Sequence, residues 1–269
     1  MKRLLLYSAL LLGAVIFAYP FLWMIAASMK PELEISTLTL WSKNFSLNSY
    51  VQVLETIPIL RALLNSLIVS LSATVSVVIF GSMVGYALAR LRFPGNNVLY
   101  LLILFTMMIP FQIVLIPQYV LMVMLGWTDT YLSLIAPTML SAFGIILFRQ
   151  FFKSIPQSLI DAARMDGCSE FGILFRVIWP LSRPVVITVA ILTFMTSWNE
   201  VLWPIMVIRD RDLMTMPQLV ALFSIGGAAG THLAFRLAAA TMLALPVILA
   251  YSFFQRYFIE SLATTGMKG

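Results

Sequence analysis

The sequence predicts an all-α membrane protein with six transmembrane helices and a polar helix–glycine–helix loop between the fourth and the fifth. Of its 269 residues, 61% are hydrophobic and 10% are charged, whereas a soluble domain carries about 25% charged residues. Six apolar stretches are each long enough to cross a bilayer, which takes about 20 residues of helix. One long polar interruption, residues 149–184, divides the second half of the chain. We therefore expect a single transmembrane domain over residues 1–269.

The predicted spans follow these apolar stretches in chain order. They cover about residues 4–27, 63–88, 98–116, 131–148, 185–208 and 233–257. The first stretch is longer than the 7–15-residue core of a secretory signal peptide, so we interpret it as an uncleaved span. Pro110 lies inside the third span and Pro246 inside the sixth, where transporters tolerate kinks if neighbouring helices satisfy the freed carbonyls. Residues 118–130 are expected to form a short connection.

The second span carries two local signals. Gly81 and Gly85 form a small-xxx-small pattern, which permits close helix packing. Glycine is common in membrane helices, so chance explains this pair equally well. After the span, residues 90–95, Arg-Leu-Arg-Phe-Pro-Gly, predict a tight basic turn.

The polar interruption, residues 149–184, is called the docking loop below, and it has the pattern of two short helices around a glycine. Residues 158–166 contain no helix breaker, and Gly167 stands where a helix usually ends in a left-handed cap. Ser169 can begin a second helix. That helix should end just before Pro180, because the residue preceding a proline disfavours the helical conformation. A compact unit of this kind between two spans is typical of a surface to which another protein docks.

The docking loop also resembles the EAA loop of permease subunits in ABC importers. The family pattern is Glu-Ala-Ala, three residues, Gly, nine residues, then Ile-x-Leu-Pro. Here Asp161-Ala162-Ala163, Gly167 and Val177-Ile178-Trp179-Pro180 keep the spacing throughout, with Asp, Val and Trp replacing Glu, Ile and Leu. The resemblance implies the fold of a type I ABC importer permease. It also implies a coupling role, in which the loop fits a cleft on a cytoplasmic ATPase subunit.

Seven residues of the docking loop are candidates for this coupling contact. They are Leu159, Ile160, Asp161, Ala162, Ala163, Asp166 and Gly167. The two alanines give a helix a slim face, and the neighbouring leucine and isoleucine offer apolar anchors, as in helix-in-groove recognition. The aspartates can meet basic or N–H groups at the rim. The alternative is an ordinary surface loop with two amphipathic turns, since short motifs also arise by chance.

The distribution of lysine and arginine predicts the orientation of the chain. With six spans, both termini, the basic turn and the docking loop lie on one side, which carries eleven of these residues, and the other side carries six. The positive-inside rule then places both termini and the docking loop in the cytoplasm. We expect a multi-pass protein of the bacterial cytoplasmic (inner) membrane.

Several classes of function are disfavoured by the residues present. The basic residues are scattered over short loops without a basic stripe, which argues against nucleic-acid binding. One histidine (His232) and one cysteine (Cys168) support neither a metal site nor a catalytic set. No G-x-x-x-x-G-K-[ST] motif is present, so ATP and Mg²⁺ would bind to a separate ATPase subunit. A self-sufficient secondary transporter is a weaker alternative, because neither abundant intramembrane charge nor an inverted repeat is evident.

The best candidates for the translocation path are Trp198, Asn199 and Glu200. A carboxylate within a span is costly and normally faces a cavity or a partner. In the alternative interpretation Glu200 is solvated near the outer interface or pairs with Arg236, and Trp198 is an interface aromatic. Asp129 is a weaker candidate for the same path.

Further motifs resemble those of the carbohydrate-uptake branch of the family, the maltose-type permeases. They are residues 88–95, Ser197 to Glu200, and Gly-Met-Lys-Gly at the C-terminus. This resemblance implies a sugar or oligosaccharide as the solute and a heterodimer with a second permease. It also implies two ATPase subunits and an extracytoplasmic solute-binding protein. Solutes of the glycerol-phosphate type are the alternative.

Overall fold

The computed structural model describes residues 2–36, 38–225 and 233–266, and this part of the chain is helical, without a strand. The helices are α1 (Lys2–Ser28), α2 (Glu32–Ile35), α3 (Asn48–Thr56), α4 (Ile59–Arg90), α5 (Asn96–Thr106), α6 (Phe111–Met124), α7 (Tyr131–Ile135), a 3-10 turn (Ala136–Thr138), α8 (Ala142–Ser154), α9 (Gln157–Met165), α10 (Glu170–Gly172), a π-helix (Ile173–Ile178), α11 (Trp179–Leu181), α12 (Arg183–Trp198), α13 (Leu202–Val207), α14 (Met216–Ile225) and α15 (Leu233–Gly266). His232 and the C-terminal residues 267–269 lie outside the described residues.

Three stretches are each long and apolar enough to cross a membrane: Leu5–Ser28, Ile59–Arg90 and Tyr131–Ser154. They coincide with the first, second and fourth predicted spans, and the last extends six residues beyond the predicted end at Phe148. Two further stretches qualify only as bent pairs of helices. Over the sixth predicted span, α15 begins at Leu233, as expected. The all-α membrane fold is therefore confirmed, and the number of six spans stays a prediction.

The third span is not the single kinked helix that was predicted. The helices α5 and α6 meet at 99°, and the break lies between Thr106 and Phe111. Pro110, the residue before the start of α6, has an extended conformation with φ −60° and ψ 135°. A proline has no backbone N–H for a helical hydrogen bond and disfavours the helical conformation in the residue before it, so a helix often ends there. Pro117, which directly follows the predicted end of the span at residue 116, lies inside α6, which continues to Met124. Part of the predicted connection 118–130 is thus helical.

The fifth span is also interrupted. The helix α12 ends at Trp198 and α13 begins only at Leu202, so the prediction of one helix over 185–208 was wrong. The Glu200 carboxylate accepts hydrogen bonds from the N–H groups of Leu202 (2.9 Å) and Trp203 (3.1 Å). These donors have no partner within their own helix at its first turn, and the carboxylate stabilises a new helix start there.

The centre of the bundle is α4, which packs against α8 and α12, and α15 packs against α1 and α12. The crossing of α4 and α8 is close at Gly85, where an added Cβ would lie 2.6 Å from Cβ of Phe148 and 3.1 Å from the backbone N of Arg149. At Gly81 the nearest atom, Cδ2 of Phe148, would be 3.7 Å away. Of the two interpretations left open for this pattern, close helix packing applies at Gly85, whereas the contact at Gly81 is an ordinary one.

Two main apolar cores lie at opposite ends of this bundle. One includes Phe148, Phe152, Ile160 and Ile178 and lies beside the docking loop, at what we call the loop end. The other includes Trp203, together with residues of α3, the start of α4 and α14, and lies at what we call the far end. The first candidate site described next is at the loop end, and the second lies between the two cores, since its lining includes Val69 of the far-end core and Val77 of the loop-end core.

Candidate functional site

The docking loop has the predicted helix–glycine–helix structure. The helix α9 ends with Asp166 as its cap, and Gly167 has φ +80°. The N–H of Cys168 donates to the Ala163 carbonyl and the N–H of Gly167 to the Arg164 carbonyl, each at 3.0 Å. This pair of bonds is the Schellman arrangement, which satisfies the last carbonyls of a helix and favours glycine at the left-handed position.

The second helix of the docking loop begins at its predicted cap. The Ser169 hydroxyl accepts a hydrogen bond from the Gly172 N–H at 3.2 Å. The helical stretch Glu170–Leu181 then includes the π-helix Ile173–Ile178. It continues to Leu181, slightly beyond the predicted end before Pro180, and turns by 88° into α12.

The docking loop is tied to the end of α4 by hydrogen bonds. The guanidinium of Arg90 donates to the carbonyls of Phe152 and Ile155 and, at 2.9 Å, to Oε1 of Gln157. A second tie joins the indole Nε1 of Trp179 to the Ser82 hydroxyl at 3.1 Å. Since arginine presents several donors in one rigid plane, it can fix the end of α8 and the start of α9 together.

A second polar cluster joins the two helices of the docking loop to each other. Arg164 donates to both carboxylate oxygens of Glu170, at 2.9 and 3.3 Å, and Tyr86 of α4 donates to the same carboxylate. The hydrogen bond to Glu170 raises the pKa of the Arg164 guanidinium. The arginine therefore stays charged, and the angle between the two helices is set by a paired contact.

Two of the seven candidate coupling residues are buried in the structure. Ile160 is 0% exposed and Ala163 is 8% exposed, and both pack in the core at the loop end. The prediction that they offer an apolar anchor and a slim face to another protein was wrong. At 3.6 residues per turn, positions 160 and 163 share one face of α9, and this face holds the helix to the bundle.

Most other positions of α9 are exposed, among them Leu159 and Ala162, and so is its cap, Asp166. Met165, which the motif does not contain, is 84% exposed, and Phe171 of the next helix is 61% exposed. We call these five residues the docking surface. Met165 is a long apolar residue three positions after Ala162 of the motif, so the two are neighbours on the helix surface. This spacing was the sequence signal that could have identified Met165.

The other two candidates of the motif are also exposed, at the margins of the docking surface. Asp161 accepts hydrogen bonds from Gln157 at 2.9 Å and from Arg164 at 3.5 Å, within the docking loop itself. Gly167 has nothing within 4 Å of the position that a Cβ would occupy. Its requirement for glycine is therefore one of backbone conformation.

The second candidate site is a cavity of about 590 Å³ among α4, α6, α8, α12 and α13. Its polar lining consists of Gln118, Thr138, Ser141, Thr193, Thr196, Ser197, Glu200 and Thr215. Phe111 and Phe143 contribute aromatic rings, and no lysine or arginine is found among the described residues of the lining. Its surface thus combines hydroxyl groups, ring faces and one carboxylate.

Of the three predicted path residues, only Glu200 lines this cavity. Trp198 is 1% exposed and stacks on Phe194 with a centroid distance of 5.6 Å. Asn199 donates from its side-chain amide to the Met195 carbonyl at 2.7 Å. None of the ion pairs among the described residues joins Glu200 to Arg236.

The residues that sequence reasoning missed form a stripe on α12. Thr193, Thr196 and Ser197 follow the spacing i, i+3, i+4, which places them on one side of the helix, and Glu200, which was predicted, follows just after its end. Such a polar stripe within an apolar span was a readable signal.

Asp129, the weaker candidate, has a structural contact instead. Its carboxylate accepts hydrogen bonds from the backbone N–H groups of Arg209 and Asp210, and these bonds lower its pKa. Its own N–H donates to the Val207 carbonyl at 3.0 Å. Asp129 therefore holds the segment after α13 at the far end.

Known proteins resemble this chain along nearly its whole length. The profile of the family described as "Binding-protein-dependent transport system inner membrane component" matches residues 78–263. The chain is 36% identical over 261 residues to the arabinooligosaccharides transport system permease protein AraQ of Halalkalibacterium halodurans, covering 95% of this chain and 93% of that protein. It is 32% identical over 208 residues to the sn-glycerol-3-phosphate transport system permease protein UgpE of Pectobacterium atrosepticum, covering 77% and 74%.

The fold matches that of a solved structure. A chain of a bacterial ABC transporter involved in the import of the acidic polysaccharide alginate superposes with a TM-score of 0.81 at 27% identity. The match covers 96% of this chain and 97% of that one.

Proposed function

Since this chain belongs to the family of inner membrane components of binding-protein-dependent transport systems, we propose that it takes up a sugar or an oligosaccharide as the permease subunit of an ATP-driven importer. The observation that carries this proposal is the similarity over 95% of the chain to a permease for arabinooligosaccharides. The resemblance found in the docking loop is thereby confirmed at the level of the family. The chain is a transport subunit, and ATP hydrolysis belongs to a separate subunit.

The proposed assembly pairs this chain with a second permease in a heterodimer. Two ATPase subunits bind at the cytoplasmic side, and an extracytoplasmic solute-binding protein delivers the solute at the far end. Both termini lie in the cytoplasm in this arrangement, in line with the excess of lysine and arginine on that side. Closure of the ATPase dimer on ATP would draw the docking loops together and turn the pathway from inward-facing to outward-facing.

The docking surface supports the contact with the ATPase. Met165, Leu159 and Phe171 are exposed apolar side chains of the docking loop. Such side chains are the usual anchors when a helix fits a groove of another protein. The ties of Arg90 and Trp179 to the bundle make the loop a rigid part of the permease, so that a movement of the ATPase is transmitted to the spans.

The cavity supports a neutral solute. Hydroxyl side chains and the exposed rings of Phe111 and Phe143 suit the hydroxyl groups and the apolar faces of a sugar. A phosphate ester would meet the Glu200 carboxylate with no lysine or arginine in the described lining to offset its charge. This composition favours a sugar over glycerol phosphate. Transport of glycerol phosphate is the second candidate function because of the similarity to UgpE.

Uptake into proteoliposomes tests the proposed function. The complex purified through this chain is reconstituted with internal ATP, and labelled arabinooligosaccharides, maltose and sn-glycerol-3-phosphate are offered with the binding protein. We expect ATP-dependent uptake of a neutral sugar. Uptake of the phosphate ester alone would support the second candidate, and uptake by the isolated chain without ATPase would contradict the importer.

A single hydroxyl tests the cavity as part of the path. We expect Thr196→Val to raise the apparent KM for sugar uptake about 3- to 10-fold, because a neutral hydrogen bond contributes about 0.5–1.5 kcal/mol. The control is Thr188→Val on the same helix, whose hydroxyl donates to the Pro184 carbonyl at 2.8 Å and does not line the cavity. Equal KM values for the two variants would remove Thr196 from the path.

A further inference from the structure

A second cavity, of about 1000 Å³, opens at the loop end between the basic turn after α4, the start of α5 and the docking loop. Its lining is strongly basic. It includes five cations, against one carboxylate, that of Asp161: Arg90, Arg92, Arg149, Lys153 and Arg164. None of the five residues of the docking surface lines this cavity, and none of its lining belongs to the cavity of about 590 Å³. We call it the basic pocket.

Most of this positive charge is not neutralised by ion pairs in the described part of the chain. Arg164 is paired with Glu170 and lies near Asp161. Arg90 is engaged by carbonyls and by an amide, which satisfy its donors without cancelling its charge. The ion pairs among the described residues include neither Arg92 nor Lys153. The basic pocket therefore attracts an anion.

Arg149 gives the basic pocket a buried cation. This residue is 9% exposed, its guanidinium lies 3.5 Å from the ring centroid of Tyr100, and its buried Nε has no hydrogen-bond partner. A buried charge is costly unless it is paired, and the aromatic ring offsets only part of that cost. An anion in the pocket would supply the missing partner.

The surface beside the basic pocket is apolar. The helix α5, which starts at the pocket, buries none of its residues, and Val98, Leu101, Leu102 and Phe105 are among its exposed side chains. The pocket also lies at the end of α4, where a span of this length leaves the hydrocarbon region. A cationic pocket at this depth with an apolar strip leading into the span matches the two parts of a phospholipid.

We propose that the basic pocket binds the phosphate headgroup of an anionic phospholipid, whose acyl chains lie along α5. Basic pockets between transmembrane helices are a favourable environment for such headgroups, since each nearby lysine or arginine adds to the attraction. The phosphate would be held by Arg92 and Lys153 at the rim and by Arg149 inside. The free phosphate ion shares this chemistry, but it lacks the chains that would cover the strip on α5.

An acidic segment of the ATPase is a less favourable occupant. On α9, Gln157, Asp161 and Arg164 face the basic pocket, whereas Ala162 and Met165 lie on the docking surface roughly a quarter-turn or more away. A subunit seated on the docking surface would therefore approach a different side of the helix.

Native mass spectrometry of the purified full chain with added phosphatidylglycerol or phosphatidylcholine tests this proposal. We expect phosphatidylglycerol to bind at least about 10-fold more tightly. The exposed double variant Arg92→Gln, Lys153→Gln should lower its affinity roughly 10- to 30-fold, since each cation contributes a factor of about five. The matched control, Arg176→Gln, Arg183→Gln, removes the same charge from exposed positions of the docking loop outside the basic pocket and should leave the affinity within about twofold.

Three outcomes would overturn the proposal. Equal losses in both double variants would indicate general attraction by charge. Displacement of the lipid by millimolar inorganic phosphate would assign the pocket to a soluble anion. Unchanged lipid affinity together with loss of the copurifying ATPase from the Arg92→Gln, Lys153→Gln complex would make the pocket a protein contact. Because the readout is lipid binding, none of these results depends on the solute or on uptake.

Discussion

Gly167→Val is expected to abolish most ATP-driven uptake while the protein still inserts into the membrane. Gly167 has φ +80°, a conformation that costs an L-residue roughly 1–2 kcal/mol and a β-branched one more. A penalty of about 2 kcal/mol lowers the population of this loop conformation about 30-fold. The position is exposed and an added Cβ would touch nothing within 4 Å, so packing is spared. We expect uptake to fall at least 10-fold, and ATP hydrolysis to lose its response to the binding protein.

The control for this prediction is Gly126→Val. Gly126 has φ +66° and equally free surroundings, but it follows α6 at a distance in sequence from the docking loop. Backbone strain should therefore be similar in the two variants, and uptake should survive only in the control. Normal uptake by Gly167→Val, or an equal loss in both, would show that the left-handed cap has no part in coupling.

Among alanine substitutions of the glycines in the described part of the chain, Gly85→Ala should produce the largest loss of stability. The new Cβ would lie 2.6 Å from Cβ of Phe148 and 3.1 Å from the Ile145 carbonyl oxygen, and neither a backbone atom nor a Cβ can yield without moving its helix. Overpacking of a close interface typically costs 1–3 kcal/mol and at times more. We expect the midpoint of thermal unfolding in detergent to fall by roughly 10 °C.

Gly81→Ala is the matched comparison, because it lies one turn earlier on the same face of α4. Its Cβ would meet the Phe148 ring at 3.7 Å, an ordinary contact. Alanine is also a better helix former than glycine by about 1 kcal/mol, so the unfolding midpoint should stay or rise. Similar losses at the two positions would mean that α4 and α8 do not cross as closely as described.

The docking loop was predictable in detail because its structure depends on local rules. A serine cap and a left-handed glycine act within a few residues, and Ser169 and Gly167 lie where such rules place them. The expected end before Pro180 was less accurate, since the helix continues to Leu181. The burial of Ile160 was not predictable in this way. Which face of α9 turns inward is decided by the core against which it packs, and this core includes Val77 and Tyr86 of α4, far away in sequence. The motif alone assigned buried and exposed residues to the same surface.

The spans show the same division between local and long-range causes. Their apolar cores were evident, but the breaks near Pro110 and Asn199 were not. A proline within a helix either kinks it or ends it, and the choice depends on whether neighbours satisfy the freed backbone groups. Glu200 was identified by its cost inside a span, and its part in starting α13 follows from the break. The polar stripe of Thr193, Thr196 and Ser197 could have been predicted from the helical spacing of these residues in the sequence.

The bend at Ser182 joins two helical segments nearly at a right angle, like the two arms of an angled lever. A short arm, Glu170–Leu181, belongs to the docking loop, and a long arm, α12, stands at 88° to it and carries the polar stripe of the cavity. At 1.5 Å per residue the short arm is about 18 Å long and the long arm about 24 Å. When both rotate together about the bend, the tip of the long arm moves somewhat farther than the tip of the short arm. A displacement of the docking loop would then tilt α12, which forms one wall of the cavity.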